Sequence, residues 1–225
     1  MILSPRRAPA ARWKTRLTGT ALVVAAAGLM SACAPLVLGG AAAGAFVATD
    51  RRTSGTQVED KGIEFKAANR IRSALGERGH VSVNAYNRVV LLTGEVASDA
   101  DKQAAELAAS QTENVKSVVN ELAVMGNSSL TSRSNDVILQ TKIKATMVDA
   151  RDVMSNAFKV VVERGEVFLM GMVTEREANR AAELASTVSG VQKVVKVFHI
   201  ISEAELAEKT PKGPAQPASA PSEQH

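Results

Sequence analysis

Few side chains in this sequence could do chemistry, and their spacing narrows them further. The one cysteine, Cys33, follows Leu29-Met30-Ser31-Ala32, small residues at the end of an apolar stretch. A thiol so placed is open to S-alkylation, and it has no second cysteine with which to form a disulfide. His80, His199 and His225 are so widely separated that no metal or triad spacing emerges. Glu175, Glu177 and Glu183 share a helical pattern with Arg176 and Arg180, the composition of a solvated, ion-paired helix face. No Gly-rich phosphate loop is present. The expectation is therefore a non-enzymatic chain with no catalytic residues, no cofactor and no metal. What remains is one modifiable thiol and one small cationic, apolar strip around Lys142 and Lys144.

The thiol sits in a distinctive stretch of chain. Arg6, Arg7, Arg12, Lys14 and Arg16 precede an uncharged stretch from Leu17 to Thr49, and no acid appears before Asp50. A basic segment followed by an apolar one, Leu22–Leu29, is the layout of a secretory signal. Leu29-Met30-Ser31-Ala32-Cys33 resembles a bacterial lipobox, at which the thiol is alkylated and the peptide cleaved just before it. An uncleaved membrane span, an ordinary secretory signal and a free cytosolic thiol are the alternative readings. Cleavage changes the charge argument. The whole chain is formally +4, but residues 1–32 hold five of its 27 basic residues and none of its 23 acidic ones, so the chain from Cys33 onward is formally −1. A sequence-independent nucleic-acid binder needs a standing positive field, and with aromatics at only 3% base stacking is no alternative route to one. Nucleic acid is not an expected partner.

Between a polar lead-in ending near Asp60 and a Pro- and Ala-rich tail after Glu203 lies an internal repeat. Val81-Ser82-Val83 and Val90–Val96 match Phe158–Val162 and Val167–Val173. Each pair is followed by a helical pattern, Asp101–Ser110 and Glu175–Thr187, and then by a β-branched run, Val115–Asn120 and Val191–Lys196. Ahead of each lies another helix, in which Ile71, Ala74 and Leu75 pair with Ile143, Thr146 and Met147. The order in each unit is helix, strand, strand, helix, strand, which predicts an α+β fold with helices covering one face of a small mixed sheet. Asn87-Arg88 and Arg164-Gly165 are the hairpin-turn candidates. Gly94 and Gly171, inside strand patterns, indicate a bulge or a close helix–sheet approach. Asn135 and Asp136 read as a helix N-cap pair.

This pattern resembles the BON domain, and two such domains behind a lipobox resemble the periplasmic dual-BON outer-membrane lipoproteins. The resemblance is carried by Thr49–Asp60, Asn84–Gly94 and Gly165–Ala178. It divides the chain into a lipoprotein signal peptide (1–32), a lipidated tether (33–60), BON domain 1 (61–126), BON domain 2 (131–202) and a disordered tail (203–225). It implies a lipoprotein anchored through Cys33 in the inner leaflet of the outer membrane, facing the periplasm. Ala34 follows the cysteine where an Asp would signal inner-membrane retention. It further implies binding of anionic phospholipid through the second domain, enrichment at the division site, and support of envelope integrity and division-linked remodelling. A protein-interaction module docking on an envelope assembly or peptidoglycan-remodelling factor is the alternative.

The repeat also points to a lipid-contact surface by comparison of its own two copies. With Leu139, Ile143, Thr146 and Met147 on the core stripe, the first helix of the second copy turns Val137, Ile138, Thr141, Lys144, Ala145 and Val148 outward, with Lys142 at the flank. The corresponding helix of the first copy turns Phe65, Lys66, Asn69, Arg72, Ser73 and Gly76 outward. The second set is more apolar where water is expected. An apolar strip between two cations suits insertion among lipid headgroups. Packing of Val137, Ile138 and Val148 against the first domain or the linker is the other use of such a strip.

Overall fold

A computed structural model describes residues 50–126 and 128–209. The segment read as a signal peptide, Cys33, most of the segment read as a tether and the chain beyond Lys209 lie outside the described residues. The chain divides into two compact units, Met1–Ala45 and Phe46–His225, and every described residue belongs to the second.

The first copy begins with α1 (Ser54–Leu75), started by Thr53, whose hydroxyl accepts the Thr56 N–H, and stopped at Gly76 with φ of 61°. Its buried residues Asp60, Ile63, Ala67, Ile71 and Leu75 recur every three or four positions. Strands β1 (Gly79–Tyr86) and β2 (Val89–Val96) pair antiparallel, α2 (Asp99–Ser110) crosses over, and β3 (Ser117–Asn120) and the short β4 (Ala123–Val124) return parallel to β2. The second copy repeats this plan. α3 (Leu130–Asp149) leads to β5 (Phe158–Glu163) and β6 (Glu166–Val173), α4 (Glu175–Ser186) crosses over, and β7 (Lys193–Ile200) lies parallel to β6. Helix α5 (Glu203–Lys209) comes last.

Each copy buries its helices on one face of its own sheet, in one cluster with Ile63, Ile71, Val90 and Leu92 and in another with Ile143, Met147, Val167 and Leu169. The opposite faces of the sheets share a third cluster, in which Tyr86 and Leu91 of the first copy meet Val161, Phe168, Met170 and Met172 of the second. Strands β2 and β6 are therefore buried on both faces, which explains why each reads as a nearly continuous apolar run.

Several sequence expectations change. The helix pairing of Ile71 with Ile143 is one turn out of register. The buried positions place Ile71 with Met147, Ala67 with Ile143, and Asp60 with Asp136. A four-residue slip is close to one 3.6-residue turn, so it preserves the buried face and periodicity alone cannot detect it. Asp136 is not a cap residue, because Ser129 caps α3. Instead Asp136 sits buried in mid-helix and accepts the N–H groups of Arg164 (2.8 Å) and Gly165 (2.9 Å). Asp60 does the same for Asn87 (2.7 Å) and Arg88 (2.8 Å). Each aspartate thus stabilises a hairpin turn whose two central residues both have positive φ. At Gly94 the close approach is to a neighbouring strand and not to a helix: a Cβ there would lie 2.0 Å from the His80 carbonyl oxygen, and φ is +115°. The helix α1 starts at Ser54, inside the segment read as tether, and α5 occupies the first part of the segment read as disordered tail.

Candidate functional site

The outward face of α3 is built from the strip singled out in the sequence. Val137, Ile138 and Val148 are 62%, 54% and 65% exposed, so most of each side chain is open to solvent rather than buried against the first copy. Thr141, Lys142, Lys144 and Ala145 are exposed beside them. The helix places Ile138 and Lys142 toward one edge of the strip and Lys144 toward the other. Ile138 and Lys142 border a groove of about 760 Å³ that reaches Met125 and Gly190. Lys144 borders a second groove, of about 610 Å³, shared with Val58, Lys61 and Lys159.

Two details make this face more apolar and more cationic than its composition suggests. The Thr141 hydroxyl donates to the Val137 carbonyl at 2.9 Å, and the Thr146 hydroxyl donates to Lys142 O at 3.1 Å. Both hydroxyls are therefore satisfied on their own helix, and Thr141 presents mainly its methyl group. Among the described residues neither Lys142 nor Lys144 has a carboxylate partner. On α1 the lysines of the equivalent surface are paired, Lys61 with Glu64 at 2.8 Å and Lys66 with Glu113 at 2.9 Å, while the exposed Arg72 keeps its charge and donates to the neutral Asn69 amide oxygen at 3.2 Å. Helix α1 does expose Val58 and Phe65, but Lys61 and Lys66 nearby are already paired. An unpaired ammonium next to apolar side chains can meet a phosphate while its neighbours enter the acyl boundary.

The lead-in and the two copies are joined by contacts that sequence reasoning missed. Arg51, in the segment read as tether, is buried and donates to both oxygens of Glu177 (2.8 and 2.7 Å) and to the Met172 carbonyl (2.9 Å). Glu177 is accordingly not part of a solvated face. It is 4% exposed and completes a capping box with Thr174 at the start of α4. The Arg51 guanidinium holds the Glu177 carboxyl below its ordinary range, against the burial that raises it. Arg52 bridges Asp50 and Asp60, each at 2.7 Å, and lies 3.9 Å over the Tyr86 ring. A further pair, Lys159 with Glu64, joins β5 to α1. Two adjacent arginines in an otherwise polar lead-in were the only signal of this clasp in the sequence. The Arg180–Glu183 pair is exposed as expected, and among the described residues no three His, Cys, Asp or Glu side chains gather as a metal site.

Comparison with known proteins agrees with this arrangement. The BON domain family model matches residues 63–126 and 135–202. The outer membrane lipoprotein DolP of Haemophilus influenzae is 42% identical over 174 residues, 76% of this chain and 90% of that protein. A 21 kDa hemolysin of Actinobacillus pleuropneumoniae is 34% identical over 144 residues, 63% of this chain and 74% of its own length. Among solved structures, the C-terminal domain of CdsD, a structural protein of the Chlamydia trachomatis type III secretion system, aligns over 60% of this chain and 96% of its own. At 11% identity and a TM-score of 0.27 that likeness carries no argument.

Proposed function

The chain belongs to the BON domain family, with two copies of the domain in tandem, and from that premise we propose that it is a non-enzymatic outer-membrane lipoprotein that contacts anionic phospholipid through the outward face of α3. The similarity to an outer membrane lipoprotein over 76% of the chain supports the location. The lipobox-like stretch before Cys33 supports the anchor. The observation that carries the lipid reading is the conjunction on α3 of exposed Val137, Ile138 and Val148 with Lys142 and Lys144, which have no carboxylate partners among the described residues.

The energetics suit a tethered protein. Each cation near an anionic surface contributes about 1 kcal/mol, and burying one branched aliphatic side chain contributes about 1.5–3 kcal/mol. The strip alone therefore gives modest affinity, which suffices once an acyl anchor raises the effective concentration. In this role the protein supports outer-membrane integrity and division-linked remodelling of the envelope, with the inner leaflet of the outer membrane as its principal partner.

The test is cosedimentation of the non-acylated chain, beginning at Ala34, with vesicles of phosphatidylethanolamine with and without phosphatidylglycerol. Binding is expected only to the anionic vesicles. Val137→Glu or Ile138→Glu is expected to weaken it by about tenfold or more, with an unchanged circular dichroism spectrum. Unchanged binding by both variants contradicts the assignment and leaves a protein as the partner of this face.

A further inference from the structure

The interface between the two sheets is apolar at one end and charged at the other. Side chains alternate along a strand, so Leu91, Thr93 and Glu95 of β2 share a face, as do Val161 and Glu163 of β5. Leu91 and Val161 lie in the cluster shared by the two sheets. Two and four residues beyond Leu91, the same face of β2 buries Thr93 and Glu95, both 0% exposed, and two residues beyond Val161 the same face of β5 buries Glu163, 6% exposed. We propose that Glu95 and Glu163 form a proton-gated latch between the two domains, looser when both carboxyls are charged and tighter when Glu163 takes up a proton from solvent.

Several charged groups meet at this end. Glu95 faces His80 of β1, whose Nδ1 lies 4.0 Å from its Oε2, and Arg164 of the β5–β6 turn, whose Nη1 donates to its Oε1 at 3.0 Å and to Gly94 O at 3.1 Å. Glu163 is influenced by Glu95, Arg164, and by Asp136 and Arg133 of α3. Three carboxylates thus meet two guanidiniums and an imidazole. The Glu95 Oε2, the Thr93 hydroxyl and the His80 Nδ1 are all buried without a hydrogen-bond partner. A carboxylate oxygen buried without a donor, on a face shared with a second buried carboxylate, is costly. A protonated Glu163 removes one of the buried negative charges. Consistently, burial and then the Glu95 carboxylate push the Glu163 carboxyl above its ordinary range.

Linkage sets the sign. A carboxyl raised in the folded state binds its proton more tightly there than in the unfolded chain, so it favours folding as pH falls toward the raised value and disfavours it as pH rises through it. The latch also reaches α3. Asp136 holds the Arg164-Gly165 turn, and its neighbour Val137 lines a cleft of about 290 Å³ together with His80, Thr93 and Glu163.

The test uses the full chain in neutral-detergent micelles. Glu163→Gln mimics the protonated carboxyl, and it is expected to raise the unfolding midpoint by about 2–5 °C at pH 7.5 and to leave it nearly unchanged at pH 5. Glu95→Gln, which strips Arg164 of its carboxylate, is expected to lower the midpoint at both. In the unsubstituted chain, the side-chain carboxyl carbon of Glu163 should titrate above the ordinary glutamate range, with the amides of Glu95 and Val137 shifting at the same midpoint. An ordinary Glu163 titration, a titration unaccompanied by those amide shifts, or an equal effect of Glu163→Gln at both pH values overturns the latch. None of these readouts involves lipid, so the latch and the lipid reading stand or fall separately.

Discussion

Helices α1 and α3 are the same element twice, with the same pattern of buried positions and outer faces of different character. Their inner faces correspond position by position, and in each a buried aspartate grips the hairpin turn of its own copy. On the outer faces, Lys61, Gly62, Phe65, Asn69 and Arg72 of α1 are replaced in α3 by Val137, Ile138, Thr141, Ala145 and Val148. The α1 lysines, Lys61 and Lys66, are paired with carboxylates, whereas Lys142 and Lys144 of α3 have no carboxylate partner among the described residues. The buried positions change only among apolar residues around a constant aspartate, whereas the solvent side changes from mostly polar to mostly apolar, a change in kind that packing of the scaffold does not require.

The largest effects should fall on the shared scaffold. Gly94→Ala puts a Cβ 2.0 Å from a backbone carbonyl at a positive φ, whereas in Gly171→Ala the nearest backbone oxygen is 2.6 Å away. Denaturant unfolding should show a loss of about 4 kcal/mol or more for the first, beyond the usual range for single substitutions, and less for the second. Next comes the clasp. Arg51→Ala leaves Glu177 buried without its partner and should cost about 3–5 kcal/mol at neutral pH. Because Glu177 has a lowered pKa in the folded chain, its stabilisation is present above the unfolded value and disappears as pH falls through the folded one. The difference between Arg51→Ala and the unsubstituted chain should therefore narrow below about pH 4, and a constant difference would mean that Arg51 acts by packing alone.

Asp136→Ala should cost about 1–3 kcal/mol by orphaning two turn N–H groups, and Asp60→Ala more, since Asp60 also pairs with Arg52. The smallest stability effects belong to the divergent faces. Lys144→Gln and Lys66→Gln should each change stability by less than about 0.5 kcal/mol. Only Lys144→Gln should weaken binding to phosphatidylglycerol vesicles, about fivefold at low salt. Equal losses from both would erase the distinction between the helices.

Most of this fold was legible because its signals are local. Strand runs, β-branched closures and the Asn87-Arg88 and Arg164-Gly165 turns stand in the sequence at nearly constant offset. The outward strip was legible too, because Val137, Ile138 and Val148 stand where a helix should show polar residues. The contacts between domains were not. Arg51 finds Glu177 across 126 residues, and Arg164 finds Glu95 across 69. No periodicity encodes such a pairing, and on sequence alone a buried charge looks like a solvated one. The mispairing of Ile71 with Ile143 has a related cause, since helical periodicity fixes a face but not a turn.

The difference between α1 and α3 can be read in a single spectrum. With spin-labelled phosphatidylglycerol in micelles, relaxation enhancement is expected to bleach the amides from Val137 to Val148 and to spare those from Val58 to Arg72. Equal bleaching of both helices, or bleaching of α1 alone, would contradict the assignment of the lipid face to the second domain.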